Sequence, residues 1–282
     1  MADLKLEPTA AMVMELGAGV FAESELGRRY MAGLDLSAAA ELIDEHRRRG
    51  ILELTRELMC NRKAAVRREL LRLVDQAGGA VQVLLLAAGK SPLGLETAVE
   101  RPERVTAVFE ADVSVPDDKR RLYASLAPGP AGKVRFVRAD VTSPELPALL
   151  RAAGFDFGSP AVIALEGITH YISPEACRAL LGVFASGEGR NAVIVEYGPP
   201  LAALADWVRP KARAAFSIIE RRYFPQGMIK YDRAWFEAAL RGLGGGLERH
   251  YPMEEMERLR TGANRFFSGP GSGWVEVLTG RL

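Results

Sequence analysis

VQVLLLAAGKSPLGLE, residues 81–96, decides the fold. Val81 to Ala88 is an apolar run interrupted only by Gln82 and closed by Gly89. A run that is apolar throughout, rather than alternating, is what a strand covered by helices on both faces requires, and such strands build parallel sheets. The small residues that follow form a turn in which backbone N–H groups can approach a ligand. Working outward, Val105 to Phe109, Val134 to Val137, Ala161 to Leu165 and Ala192 to Val195 repeat the apolar pattern. Between them lie helix-forming stretches at Pro116 to Ala127, Ser143 to Ala153 and Ser173 to Phe184, the last two with Pro144 and Pro174 at expected helix starts. The tail adds a helix around Tyr231 to Leu243 and strands at Leu247 to Tyr251 and Trp274 to Thr279. The expected fold class is α/β, a doubly wound, seven-stranded, mainly parallel Rossmann-like sheet.

Upstream, Met12 to Gln76 is rich in Ala, Leu, Glu and Arg with apolar residues at helical spacing, as in Leu36, Ala40 and Ile43. The expected division is an N-terminal helical cap over residues 1–76 and an α/β domain over 77–282. Leu201 to Lys230 reads as a long irregular stretch of aromatic and basic residues, and an insertion near 199–230 is expected to cover an acceptor site.

The 282 residues carry 37 Lys+Arg against 36 Asp+Glu, a formal charge of +1. That balance removes the electrostatic argument for nucleic acid or an anionic membrane as partner and favours a small-molecule ligand. The apolar runs fall far short of the roughly 20 residues of a membrane helix, so a cytoplasmic protein is expected. Cys60, Cys177, His46, His170 and His250 are scattered singly, so neither a disulfide framework nor a metal cluster is expected.

A doubly wound sheet binds its ligand beyond the carboxyl ends of its strands. After the second run stands Glu110, with Ala111 and Asp112; an acid there can accept hydrogen bonds from both hydroxyls of a ribose. After the third come Asp140, placed to accept from an adenine amino group, and Val141, placed to lie against the ring. After the fourth, Glu166-Gly167 leads to Thr169, His170 and Tyr171. The Gly-x-Gly-x-x-Gly of a nicotinamide dehydrogenase is absent after the first run.

These residues resemble the leucine carboxyl methyltransferase-like family of class I S-adenosylmethionine (SAM)-dependent methyltransferases, which includes many small-molecule O-methyltransferases of bacterial secondary metabolism. The resemblance runs from about Leu54 onward. VIALEGITHYISPEA (162–176), FEADVSVPDDKR (109–120) and RADVTSPELPALLRAAGFD (138–156) carry it, and Asn61-Arg62-Lys63 falls where the family places an Arg that pairs with the SAM carboxylate. The resemblance implies SAM as co-substrate, held by Arg62, Ala87, Gly89, Lys90, Ser91, Glu110, Ala111, Asp140, Val141, Glu166 and Gly167. One segment departs: where the family reads Gly-Ala-Gly followed by an Asp and then an Arg, this chain reads Ala87-Ala88-Gly89-Lys90-Ser91. Lys90 then becomes a candidate for the SAM carboxylate and Ser91 for its amino group.

The sulfonium is already an activated electrophile, so few catalytic groups are required. His170 is the candidate base for a hydroxyl acceptor and Tyr171 the candidate orienting residue. Methylation of a small-molecule carboxylate or hydroxyl is the leading expectation. Two readings stay beside it: SAM consumption that releases methylthioadenosine, by azetidine closure or aminocarboxypropyl transfer, and a non-catalytic SAM-binding protein.

Overall fold

The computed structural model describes residues 4–114 and 117–282. A long helix α1 (Leu52–Gln76) leads into β1 (Val81–Leu86), α2 (Leu93–Glu100), β2 (Val105–Asp112), α3 (Asp117–Leu126), β3 (Val134–Arg138), α4 (Leu146–Ala152), β4 (Ala161–Leu165), α5 (Pro174–Val183) and β5 (Ala192–Tyr197). Then follow α6 (Arg209–Tyr223), α7 (Arg233–Gly242), β6 (Gly246–Tyr251), α8 (Met253–Thr261) and β7 (Glu276–Arg281). The seven strands form one sheet in the order β3-β2-β1-β4-β5-β7-β6. β1 pairs in parallel with β2 and β4, β2 with β3, and β4 with β5.

The chain divides into two compact units. The first comprises the described residues up to Ala65 with Tyr197–Asp232 and Tyr251–Val277; the second comprises Val66–Glu196, Arg233–His250 and Leu278–Leu282. The break after Ala65 falls inside α1, whereas the boundary expected from sequence, residue 76, is that helix's last residue.

In the second unit the apolar runs are the strands, and β1 is buried along its whole length. Gln82, its one polar member, is satisfied by reciprocal 2.8 Å bonds: its Nε2 donates to Asp156 O and its Oε1 accepts from Asp156 N. A buried amide with both functions bonded avoids the desolvation cost that an unpaired one would carry. Register then sets the site. Leu86 lies opposite Ala111 on one side and Leu165 on the other, and Asp112 lies opposite Arg138. The residues just past these positions therefore share one edge.

In the first unit, helices Pro8–Leu16, Ala18–Phe21, Glu25–Met31 and Ala40–Arg48 accompany α6 and α8. The stretch expected to be irregular, Leu201 to Lys230, contains the fifteen-residue α6, whose Ala212, Ala215, Phe216 and Ile219 fall at helical spacing and are buried. Two of its basic residues are paired with Glu45, which accepts from Arg221 (2.6 Å) and lies 3.6 Å from Arg222, and which also accepts from Arg49 (2.7 Å). Partial desolvation, the largest single effect, pushes the Glu45 carboxyl up, but the contacts with Arg49, Arg221 and Arg222 together outweigh it and hold the group below its usual range.

Other boundaries shift. The helix expected from Ser143 begins at Leu146, with Pro147 rather than Pro144 in its first turn. Pro116, the expected start of the preceding helix, lies outside the described residues. Ser173 does cap α5, accepting from Ala176 N at 3.2 Å. The last strand starts at Glu276, two residues later than Trp274, and α8 lies between the two tail strands. Among the described residues no helix is long and apolar enough to cross a membrane.

Candidate functional site

At the shared carboxyl edge of the second unit lies a cavity of about 380 Å³. Ala87 lines it from the end of β1, Asp112 and Val113 from β2, Ala139 to Thr142 from β3, and Ile168, Tyr171, Ile172, Ser173 and Ala176 from the segment after β4. Mostly apolar walls with a few fixed polar groups are the usual make-up of a small-molecule site, and this volume falls at the small end of their range.

The turn after β1 is held in an unusual conformation. Ala87 (φ 55°) and Gly89 (φ 51°) both have positive φ, and Ala87 is the sole non-glycine residue to do so among the described residues. A methyl-bearing residue there costs roughly 1–2 kcal/mol, part of which glycine would return through its looser unfolded chain. Ala87→Gly is therefore expected to stabilise the protein by about 0.5–1 kcal/mol. A higher chemical denaturation midpoint at unchanged slope is the outcome to look for, and a lower one refutes the claim of backbone strain.

Two acids face the cavity. Asp112 accepts from Gly89 N (2.9 Å) through Oδ2 and from Ser114 N (2.9 Å) and Ser114 Oγ (3.2 Å) through Oδ1. Asp140 accepts from Thr142 Oγ1 (2.7 Å) and Thr142 N (2.9 Å). The hydroxyl bond, followed by the backbone bond, holds the Asp140 carboxyl below the usual carboxylate range, so it remains an acceptor throughout the neutral region.

Glu110, the acid that the sequence pointed to, is placed elsewhere. β2 runs to Asp112, three residues past the apolar run, so Glu110 is inside the strand rather than at its end. Its carboxylate is buried: Oε2 accepts from Lys119 Nζ at 2.6 Å and Oε1 lies 2.8 Å from the Tyr123 hydroxyl. Burial pushes the Glu110 carboxyl up, and Lys119 opposes that shift. Glu110 and Ala111 do not line the cavity, whereas Asp112 does. The signal that could have found Asp112 is the i, i+2 spacing of the two acids, which puts both on one strand face and only the later one at the end.

The other sequence candidates divide. Ala87, Asp140, Val141 and Tyr171 line the cavity; Gly89, Lys90, Ser91, Glu166, Gly167 and His170 do not. Gly89 reaches it indirectly through Asp112, and Ser91 opens α2, its Oγ accepting from Leu93 N at 3.4 Å. Gly167 N donates to Glu196 Oε2 at 2.6 Å, and His170 Nε2 sits 3.4 Å from Glu196 Oε1. Thr169 Oγ1 adds a 2.9 Å bond to Glu196 O. His170 is thus buried against the end of β5, while its neighbour Tyr171 is the residue on the cavity wall. Arg62 belongs to the first unit, buried in α1 with Nη1 3.6 Å from Met59 Sδ.

The strand order, with β7 inserted between β5 and β6, is that of a class I methyltransferase sheet. The leucine carboxyl methyltransferase family model matches residues 8–185, and the chain belongs to that family. A protein of Mycobacterium sp. (strain KMS), assigned as an S-adenosyl-L-methionine-dependent methyltransferase, is 34% identical over 155 residues, covering 53% of this chain and 48% of its own. One from Mycobacterium avium (strain 104), assigned likewise, is 29% identical over 203 residues, with 69% and 60% covered. The chain thus spans about half the length of the first of these relatives. A crystal structure assigned as a methyltransferase from Thermobifida fusca YX superposes with a TM-score of 0.62 at 17% identity, covering 98% of this chain and 95% of that one.

Proposed function

We propose that the chain is a SAM-dependent methyltransferase of small-molecule carboxylates or hydroxyls, and that its cavity holds the nucleoside part of SAM. The observation that carries this reading is the convergence of two acids, each fixed by hydrogen bonds, on one apolar-walled cavity at the sheet's carboxyl edge. Asp112 takes the ribose hydroxyls in place of Glu110, and Asp140 takes the adenine amino group. Val141, Ile168 and Ile172 supply the apolar walls for the ring. Neither acid would suit a phosphate at these positions, because like charges repel. The family's chemistry comes from the sulfonium, which supplies an electrophilic methyl group; the protein contributes binding, alignment and exclusion of water.

Arg62 or Lys90 for the carboxylate of SAM, and residues 199–230 for covering the acceptor, are proposed on the family resemblance. For a carboxylate acceptor no base is required at neutral pH. For a hydroxyl, the burial of His170 against Glu196 favours a role in holding the 167–171 turn over one as a base. His170→Asn is accordingly expected to lower kcat less than about tenfold, where loss of a general base costs 10²–10⁴-fold. A loss in that larger range, with a pH profile that loses its acidic limb, would restore His170 as the base.

The test of the overall reading is mass spectrometry of SAM incubated with the purified protein, alone and with candidate acids and phenols. S-adenosylhomocysteine formed only with an acceptor is the expected result. Methylthioadenosine from SAM alone would replace methyl transfer by cyclisation or cleavage, and binding without any turnover would leave a SAM-binding protein.

A further inference from the structure

We propose that Lys119 is a positioning residue for nucleoside binding, acting through the backbone of Gly89 on the carboxylate of Asp112; this rests on the nucleoside-site reading above. Lys119 is 1% exposed and its partner Glu110 is 2% exposed, so the ion pair is removed from water. A buried ammonium is expensive, and replacing such a pair with apolar groups is often neutral or stabilising, so stability alone is a poor account of it.

Its geometry offers a better one. Lys119 Nζ donates to Glu110 Oε2 at 2.6 Å and to Gly89 O at 2.9 Å. Gly89 has a φ of 51°, in the left-handed region that a glycine turn enters and leaves readily. Pinned at its carbonyl, that residue turns its own N–H toward Asp112 Oδ2 at 2.9 Å. Ser114 fixes the other oxygen, Oδ1, from the opposite side. Asp112 therefore meets its ligand with its carboxylate plane already set, and the cost of ordering it is not charged to binding. The Tyr123 hydroxyl, 2.8 Å from Glu110 Oε1 and 2.9 Å from Ser91 O, ties the same ion pair to the far side of the turn. The turn that carries the positive-φ Ala87 is thus held by a charge it does not itself contain.

The test is a double-mutant cycle read by calorimetric titration with S-adenosylhomocysteine. Glu110→Gln with Lys119→Met removes both charges together, so no orphan ion is left in the core. In the native background this pair is expected to weaken binding about tenfold, and in an Asp112→Asn background less than about twofold, because coupled residues are non-additive. A merely structural pair would give the same loss in both backgrounds, and that result, or no loss at all, overturns the proposal while leaving the nucleoside site in place. Failure of the unsubstituted protein to bind S-adenosylhomocysteine overturns the nucleoside site and this inference with it. Should the paired variant not fold, Lys119→Arg, which keeps the charge but displaces the donor from Gly89 O, serves in the same cycle with the same expected coupling.

Discussion

Asp112→Ala is expected to weaken S-adenosylhomocysteine binding by about 100-fold or more, since two hydrogen bonds to a charged group are worth about 1.5–3 kcal/mol each. The carboxylate is cavity-facing and held by Gly89 N and by both donors of Ser114, so its loss also frees the turn after β1. Asp140→Ala removes a single charged acceptor and should cost nearer tenfold, or about 1.5 kcal/mol. Titration calorimetry on both variants ranks the two acids. Equal, small losses would mean that the ribose is held elsewhere.

Glu110→Ala should act on stability before it acts on binding. Removing one partner of a buried pair leaves Lys119 charged and uncompensated, a loss of about 3–5 kcal/mol. Such a loss is a large share of the roughly 5–15 kcal/mol that holds a typical domain together. The expected readout is a strongly lowered denaturation midpoint, visible without any ligand. A variant that melts like the parent but no longer binds the nucleoside would return Glu110 to the role first read for it.

That contrast shows what the sequence could and could not disclose. The strands of the second unit were legible because burial on both faces leaves an apolar run with no alternation, as in Val81 to Leu86 and Ala161 to Leu165. The end of β2 was not legible in the same way, because its last three residues include two acids. One of these, Glu110, is accommodated inside the strand only because Lys119 and Tyr123 reach it from α3, a contact no local pattern encodes. The same limit applies to His170: its place after β4 was readable, but its orientation depends on Glu196, 26 positions later by number, at the end of β5. Helix α6 was missed for a different reason. Its Arg-rich surface looks like loop until the pairing of Arg221 and Arg222 with Glu45 is seen.

The position of β7 bears on how the molecule assembles. Residues 276–281 form it, yet it lies between β5 and β6. Until it is in place, both of those strands present bare edges, the kind of surface on which chains pair wrongly with one another. Its partners on β5 lie some eighty positions earlier in sequence, so the closing step of the sheet brings together distant parts of the chain and belongs among the slow events of folding. Substitutions that weaken β7 should therefore reveal themselves first as aggregation during refolding, before any change at the cavity is felt.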